Sequence, residues 1–308
     1  MKPRLGSFVA NSHQACAATV GAMLLMLAPG TSGAAEAWQS FFSATPIWQG
    51  NANIDHGGDF DAAGIGMRAG TSTGFGAGHR AGITFYYDYL DYGFSSQTAF
   101  GDAPWSQIQR FGFNVPLVFS GAGGWFYGIT PSVEWSRENG ADLSESVVYG
   151  GIVSATKAFA PDQRLGLGVG VFSHIEETKA IPILVVNWRL SDRWSLVNPL
   201  PAGPVGPAGL ELNYRFDNGW NLGLGAAYRS LRFRLSENGP TPDGVGEERG
   251  APVFVRLSTE FSDQASLFLY VGVIVGGELR VEDSGGNTLR EESFDPAPLL
   301  GATFRMRF

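Results

Sequence analysis

The side chains best equipped for chemistry in this 308-residue chain are its arginines. Beyond residue 35 only Lys157 and Lys179 are lysines, so nearly every cation is a guanidinium. A guanidinium pairs a carboxylate through two parallel hydrogen bonds and suits confined, weakly solvated surroundings. Side chains of an extended chain alternate faces with a period of two. That alternation puts Arg80, Arg110, Arg215, Arg229, Arg256, Arg305 and Arg307 on the same kind of face as Asp88, Glu134, Glu211 and Glu260. Two kinds of chemistry fit such a set. One is a structural network of ion pairs filling an interior, which is the reading the residues favour by themselves. The other is a polar pore whose charges tune selectivity. Pairs inside a lumen are partly desolvated, so losing one partner costs more than it would at a surface.

Other constellations are weaker. Beyond residue 35 the histidines are His56, His79 and His174. His174 follows Ser173 directly, so in a strand the two point to opposite faces and cannot work as base and nucleophile. A serine from another strand could still reach His174, which keeps a lipid-modifying enzyme as a third reading. No G-x-S-x-G, metal-ligand spacing or phosphate loop is present. The expectation is no enzyme, no catalytic residue, no cofactor and no metal. Acidic residues cluster between the apolar runs: Asp55, Asp59 and Asp61; Glu138, Asp142 and Glu145; Asp243, Glu247 and Glu248; Glu282, Asp283, Glu291, Glu292 and Asp295. Oxygen clusters can hold Ca²⁺ or Mg²⁺, but a solvated surface is the simpler reading. The net charge is −8. Nucleic-acid binding needs a basic footprint, so it is not expected.

The elements that position these residues are strands. The last ten residues read L-L-G-A-T-F-R-M-R-F. Leu300, Ala302, Phe304, Met306 and Phe308 share one face; Thr303, Arg305 and Arg307 share the other. Similar alternation runs through Phe111 to Phe119, Trp125 to Trp135, Leu165 to Val171, Leu210 to Phe216 and Trp220 to Tyr228. Two stretches depart from it. Gln264 to Arg280 is apolar on both faces. In Tyr228 to Leu235 the phase changes, with Leu231, Phe233 and Leu235 apolar and Arg232 and Arg234 polar. A β-bulge near Ser230, or emergence above a membrane, would explain that. Gly is abundant at 43 residues, which disfavours helix.

Short turns alternate with long loops. The turns are near Thr71 to Gly78, Gly121 to Gly123, Ala160 to Gln163, Ser191 to Arg193, Asp217 to Gly219 and Ser262 to Gln264. The loops are near Asp55 to Asp59, Ser95 to Pro104, Glu138 to Leu143, Glu176 to Ala180, Asn198 to Ala208, Ser236 to Gly250 and Glu282 to Asp295. The loop from Asn198 is stiffened by Pro199, Pro201, Pro204 and Pro207. Thirteen strands are readable from about Asp61, and one more at Phe41 to Asn53 makes the number even. The expected fold is therefore all-β: a closed antiparallel up-and-down transmembrane barrel of 14 strands, or 12 if a short pair around Trp194 to Leu200 does not span. Residues 1–35 have the order of a secretory signal peptide. Lys2 and Arg4 precede an apolar run from about Ala15 to Ala28, and small residues follow to Ala35. Cleavage is expected after Ala34 or Ala35, leaving 36–308 as one domain without cysteine, since Cys16 is the only one.

The signal, the paired strands and the terminal aromatic resemble Gram-negative outer-membrane β-barrel proteins. The likeness is carried further by W-N-L-G-L-G-A-A-Y (Trp220 to Tyr228), Pro207 to Arg215, Ser191 to Leu196, Asp243 to Glu247 and Gly276 to Leu279. These segments are similar to domain-of-unknown-function family 6268, over roughly Ile83 to Phe308. The resemblance implies an outer-membrane location, with outer-membrane lipid, lipopolysaccharide and the barrel-assembly machinery as partners. It also makes Phe304, Met306 and Phe308 the assembly signal. It brings no chemistry with it. The first functional reading is a pore or transport channel for small hydrophilic or lipidic solutes. The second is a structural or adhesion barrel with a filled lumen.

Overall fold

The computed structural model describes residues 38–76, 78–200 and 208–308. The expected signal peptide, and Pro201, Pro204 and Pro207, lie outside them. Sixteen extended segments follow one another: β1 (Gln39–Asn53), β2 (Asp59–Phe75), β3 (His79–Phe94), β4 (Gln107–Asn114), β5 (Leu117–Ser120), β6 (Trp125–Glu138), β7 (Val147–Ala160), β8 (Gln163–His174), β9 (Glu177–Arg189), β10 (Trp194–Val197), β11 (Ala208–Arg215), β12 (Trp220–Arg234), β13 (Val245–Ser262), β14 (Ala265–Glu282), β15 (Thr288–Phe294) and β16 (Ala297–Arg307). β4 and β5 are one strand broken at Val115-Pro116, where proline cannot donate to the ladder. β15 and β16 are one strand broken at Asp295-Pro296. The result is 14 antiparallel strands. β1 pairs with β16, and β13 pairs with β14, so the sheet closes on itself.

The short segment around Trp194 counts as a strand, which removes the 12-strand alternative. β10 pairs with β9 on one side and β11 on the other. Where it ends, the Asn198 side chain stitches its neighbours together. Its Nδ2 donates to the Leu184 and Gly209 carbonyls, and its Oδ1 accepts from the Val186 N–H.

At one end the connections are short turns at 76–78, 121–124, 161–162, 190–193, 216–219 and 263–264. At the other they are longer, with one correction. Glu176 to Ala180 is not a loop: the turn is 175–176, and Glu177 to Ala180 belong to β9. The loops expected to span Ser236 to Gly250 and Glu282 to Asp295 also shrink, to 235–244 and 283–287.

The outer face is apolar. Leu167, Val171, Leu224, Val271, Leu300 and Phe304 all point outward and are exposed, Leu224 at 59%. Such a continuous belt is the surface of a barrel that lies in lipid. No helix of the described residues is long and apolar enough to cross a membrane; the strands do the crossing.

Candidate functional site

The lumen is the site, and it has two unlike halves. Toward the short turns its wall mixes small polar side chains, Ser43, Thr45, Thr130, Thr156, Ser258 and Thr303, with larger buried ones such as Val118, Val185 and Tyr270. Gly166, Gly168 and Gly170 occupy the inner face of β8, opposite the lipid-facing Leu165, Leu167 and Val169. An eight-stranded barrel is filled by its own side chains, and wider barrels leave room. Beside these glycines the inner face also carries Ile181, Ile183 and Val185, which pack with Val118, Ile152 and Phe172 in a buried apolar cluster.

Toward the long loops the lumen is packed. The upper parts of β12, β13, β14 and β15 leave the wall and fold inward as a four-stranded flap. Its bend follows one line across neighbouring strands. β13 has a register shift between Arg249 and Ala251. Opposite it, Gly276 of β14 has φ of 59°, a conformation that favours glycine. The next strand is broken at Asp295-Pro296. At Gly277 a Cβ would land 2.1 Å from the Phe294 ring, so the bend closes only around glycine.

The flap is buried on both faces. On one, Leu231, Phe233, Leu235, Leu279 and Val281 pack with Phe60, Tyr92, Phe94 and Trp105 from β2, β3 and the 95–106 loop. Phe233 is fully buried, edge-on to Trp105 at 5.1 Å. On the other face lie charges. Arg232 Nη2 is 2.5 Å from Glu282 and Nη1 is 3.5 Å from Glu247; its Nε is 3.3 Å from Glu177 and donates to the Ile175 carbonyl at 2.9 Å. Arg234 bonds Glu176 at 2.5 Å and the Asp243 carbonyl. Lys179 of β9 approaches Glu247 at 3.5 Å. The flap crosses far enough for Arg234 to form a parallel bridge with Arg137 of β6, and for Ser136 Oγ to donate to the Arg232 carbonyl.

The phase change in Tyr228 to Leu235 therefore has a different cause from those expected. No bulge occurs at Ser230, since β12 keeps one register with β13 from Ala226 to Arg234. The pleat is unbroken; the surroundings change, because the strand has left the lipid-facing wall. Glu247, Glu248 and Glu282 are likewise not surface acids. They are buried at 1%, 0% and 4% exposure, in ion pairs of the flap.

The arginines and carboxylates read from alternation fall into separate groups. Asp88, Arg110 and Glu134 are together. Arg110 chelates Asp88 at 2.6 and 3.0 Å and lies 4.0 Å from Glu134, and Tyr86 donates to Glu134 at 2.8 Å. Arg68, which the sequence reading missed, takes the other side of Asp88 at 2.5 and 2.9 Å. Glu211 and Arg256 pair at 2.5 Å, and Arg256 donates to Asn213. Arg229 belongs to the flap's root, bonding Glu248 and Gln49, while Tyr92 donates to Glu248 at 2.5 Å. Arg80 donates to Gln39. Arg305 lies over the Phe41 ring at 5.1 Å. Arg215, Glu260 and Arg307 are exposed at the short-turn rim, where Arg215 donates to the Asp192 carbonyl. Phe304 and Phe308 are exposed on the outer face of the last strand, with Met306 between them. His174 faces the lumen, buried, with no hydrogen-bond partner on either ring nitrogen and no serine bonded to it. Among the described residues no group of three or more histidine, cysteine and carboxylate side chains could hold a metal ion.

No protein-family model matches the chain, so the likeness to family 6268 rests on the segments quoted above. No curated protein matches it either. Solved structures do. An outer membrane channel from Pseudomonas putida F1 aligns with a TM-score of 0.48 at 10% identity, over 90% of this chain and 97% of that one. The P. putida toluene transporter TodX aligns at 0.43 and 8%, over 89% and 91%. The porin KdgM, solved with disordered oligogalacturonate, aligns at 0.31 and 12%, over 84% and 98%. With scores this low, strand number and closure rest on the pairings in the chain itself.

Proposed function

We propose that this protein is an outer-membrane channel for small solutes, held shut at its long-loop end by the flap. The carrying observation is a closed wall of 14 strands, wider than the eight that side chains alone fill, whose long-loop mouth is covered by a hinged sheet. A barrel that serves only as a scaffold has no need to close one mouth with a sheet that bends at glycines. The flap is fastened by ion pairs and one apolar contact surface, and it bends at glycines instead of growing from a rigid wall. Ion pairs of this kind are sensitive to losing a partner, which suits a part that must release. Export to the outer membrane, with Phe304, Met306 and Phe308 read by the assembly machinery, belongs to the same proposal and is supported by the outward-facing terminal strand.

Planar-bilayer recording tests it. The refolded protein should give rare, brief openings. A variant in which residues 231–248 are replaced by Asn-Gly, a turn suited to rejoining two antiparallel strands, should conduct steadily. Silence from both, in samples whose gel mobility shifts on boiling as a folded barrel's does, overturns the channel reading.

A further inference from the structure

The wall is not laddered to its full height. β9 pairs with β10 only from Asn187 to Arg189, and above that no strand of the described residues takes its free side. Across the gap, β12 is paired by β11 as far as Tyr228 and then turns inward as the flap. Where β10 and β11 are present they hold β9 and β12 three strand spacings apart, roughly 14 Å. The gap lies in the lipid belt. Leu184, Pro182 and Ala180 of β9 face outward and pair with Leu167, Val169 and Val171, which are exposed on the outer face. The flap docks just above, on Ile175, Glu177 and Lys179.

This edge is built to stay free. The Val186 N–H and carbonyl and the Leu184 carbonyl bond Asn198, so the even-numbered residues of β9 turn their backbone groups toward the gap. Pro182 is one of them. Proline has no N–H to give a ladder, and within sheets it is confined to edges and bulges. At an edge it also blocks the addition of another strand. Pro199, Pro201, Pro204 and Pro207, in the connection that follows β10, lack the same donor. With Asn198 taking the Leu184 carbonyl, the Leu184 and Ala180 N–H groups and the Pro182 and Ala180 carbonyls remain along the edge. Such groups are costly in hydrocarbon and are tolerated where they line a cavity. The flanking side chains are apolar, with Ile181, Ile183 and Val185 inside and Pro182 and Leu184 outside. The seam therefore offers an apolar passage with a few hydrogen-bonding groups along one side.

We infer that this seam is a lateral port, through which the lumen beneath the seated flap exchanges small amphiphiles with the surrounding lipid: molecules with an apolar body and a hydrogen-bonding group. This rests on the channel reading above. The probe is N-phenyl-1-naphthylamine, an apolar body with one N–H, which fluoresces on reaching phospholipid. Gram-negative cells making the native chain should take it up faster than cells without it. In a sealed variant, Pro182→Thr is combined with replacement of 198–207 by a hairpin of alternating valine and threonine around an Asn-Gly turn, which extends β10 and β11 into the gap. The sealed chain, present in equal amount and shifting on boiling, should lose the gain. Equal gain from both chains, or none from the native chain, overturns the inference. Steady current from the flap-shortened variant then leaves the channel reading standing; silence from it overturns both.

A second measurement needs no new hairpin. The chain beyond residue 35 has no cysteine. Ile183→Cys lies on the inner face beside the seam, and Ile152→Cys on the inner face two strands away, on β7. N-pyrenylmaleimide dissolved in the bilayer should modify the first and lag at the second. Equal rates overturn the inference.

Discussion

The lower and upper parts of β12, β13 and β14 are the same strands in two settings. Below the bend each strand has one face in lipid and one in the lumen. Leu222 and Leu224 point out while Gly223 and Gly225 point in. Above it, both faces are inside protein: Phe233 meets Trp105 on one side and Arg232 meets Glu282 on the other. The contrast teaches that strict alternation of apolar and polar residues does not by itself mean lipid on the apolar side. In the flap the apolar stripe seals against other strands, and the charged stripe is more deeply buried than most of the lumen's charges. The wall is held by backbone ladders that every strand shares; the flap is held by particular side chains.

Breaking those side chains should separate the two regions, and Arg232→Ala should do so most strongly. It takes the nearest cation from the buried Glu282 and one of three from Glu247, leaving Arg280 within 3.6 and 3.8 Å of them and Lys179 beside Glu247, so the cost lies toward the lower end of about 3–5 kcal/mol. Hydrogen exchange should then rise sharply over 229–250 and 277–294 and stay unchanged in β6 to β9 below the flap. Equal loss of protection in both regions would show that they are one cooperative unit. Leu224→Arg is the complementary change. It puts a charge on the lipid face of the wall, worth about 2–4 kcal/mol near the bilayer midplane. It should lower the denaturant midpoint of the whole barrel and spare no region.

Gly276→Val is smaller. A Cβ there meets nothing within 4 Å, so the cost is conformational only, about 1–2 kcal/mol for φ of 59°. It should loosen the bend and raise open time without changing the fluorescence or melting of the wall. The smallest effect concerns His56, in the exposed 54–58 turn. Its Nδ1 is 2.8 Å from Glu292 of β15, and that hydrogen bond raises its pKa above the ordinary 6.5. A raised pKa means the contact contributes fully below histidine's ordinary value and is lost as pH rises through the raised one. Protection of 288–294 should therefore fall slightly between about pH 6 and pH 9, once intrinsic exchange is corrected, and His56→Gln should flatten that change.

Most of the wall was legible because lipid imposes a period of two on every strand. The terminal strand from Leu299 to Phe308 and the shared inner face of Asp88, Arg110, Glu211 and Arg256 follow from that period; which arginine meets which carboxylate depends on strand register and does not. The flap was visible only as an anomaly at Leu231 to Leu235. Its partners come from strands far apart in sequence, such as Ser136 with Arg232, and no local pattern announces contact across a lumen. Glu247 and Glu282 read as loop acids for the same reason: their arginines lie on other strands. Arg68 could have been found, since it alternates with Met67 on β2 as Arg305 does with Phe304 on β16.

The central claim is that the flap closes the mouth by docking on β6, and one protein tests it directly. Arg137 and Arg234 are bridge partners, and Cys16, within the expected signal, is the only native cysteine. The double variant Arg137→Cys, Arg234→Cys should be silent in a planar bilayer when oxidised and conduct when reduced, reversibly on the same channels. Equal current in the two redox states, with the disulfide verified by mass, would contradict the account.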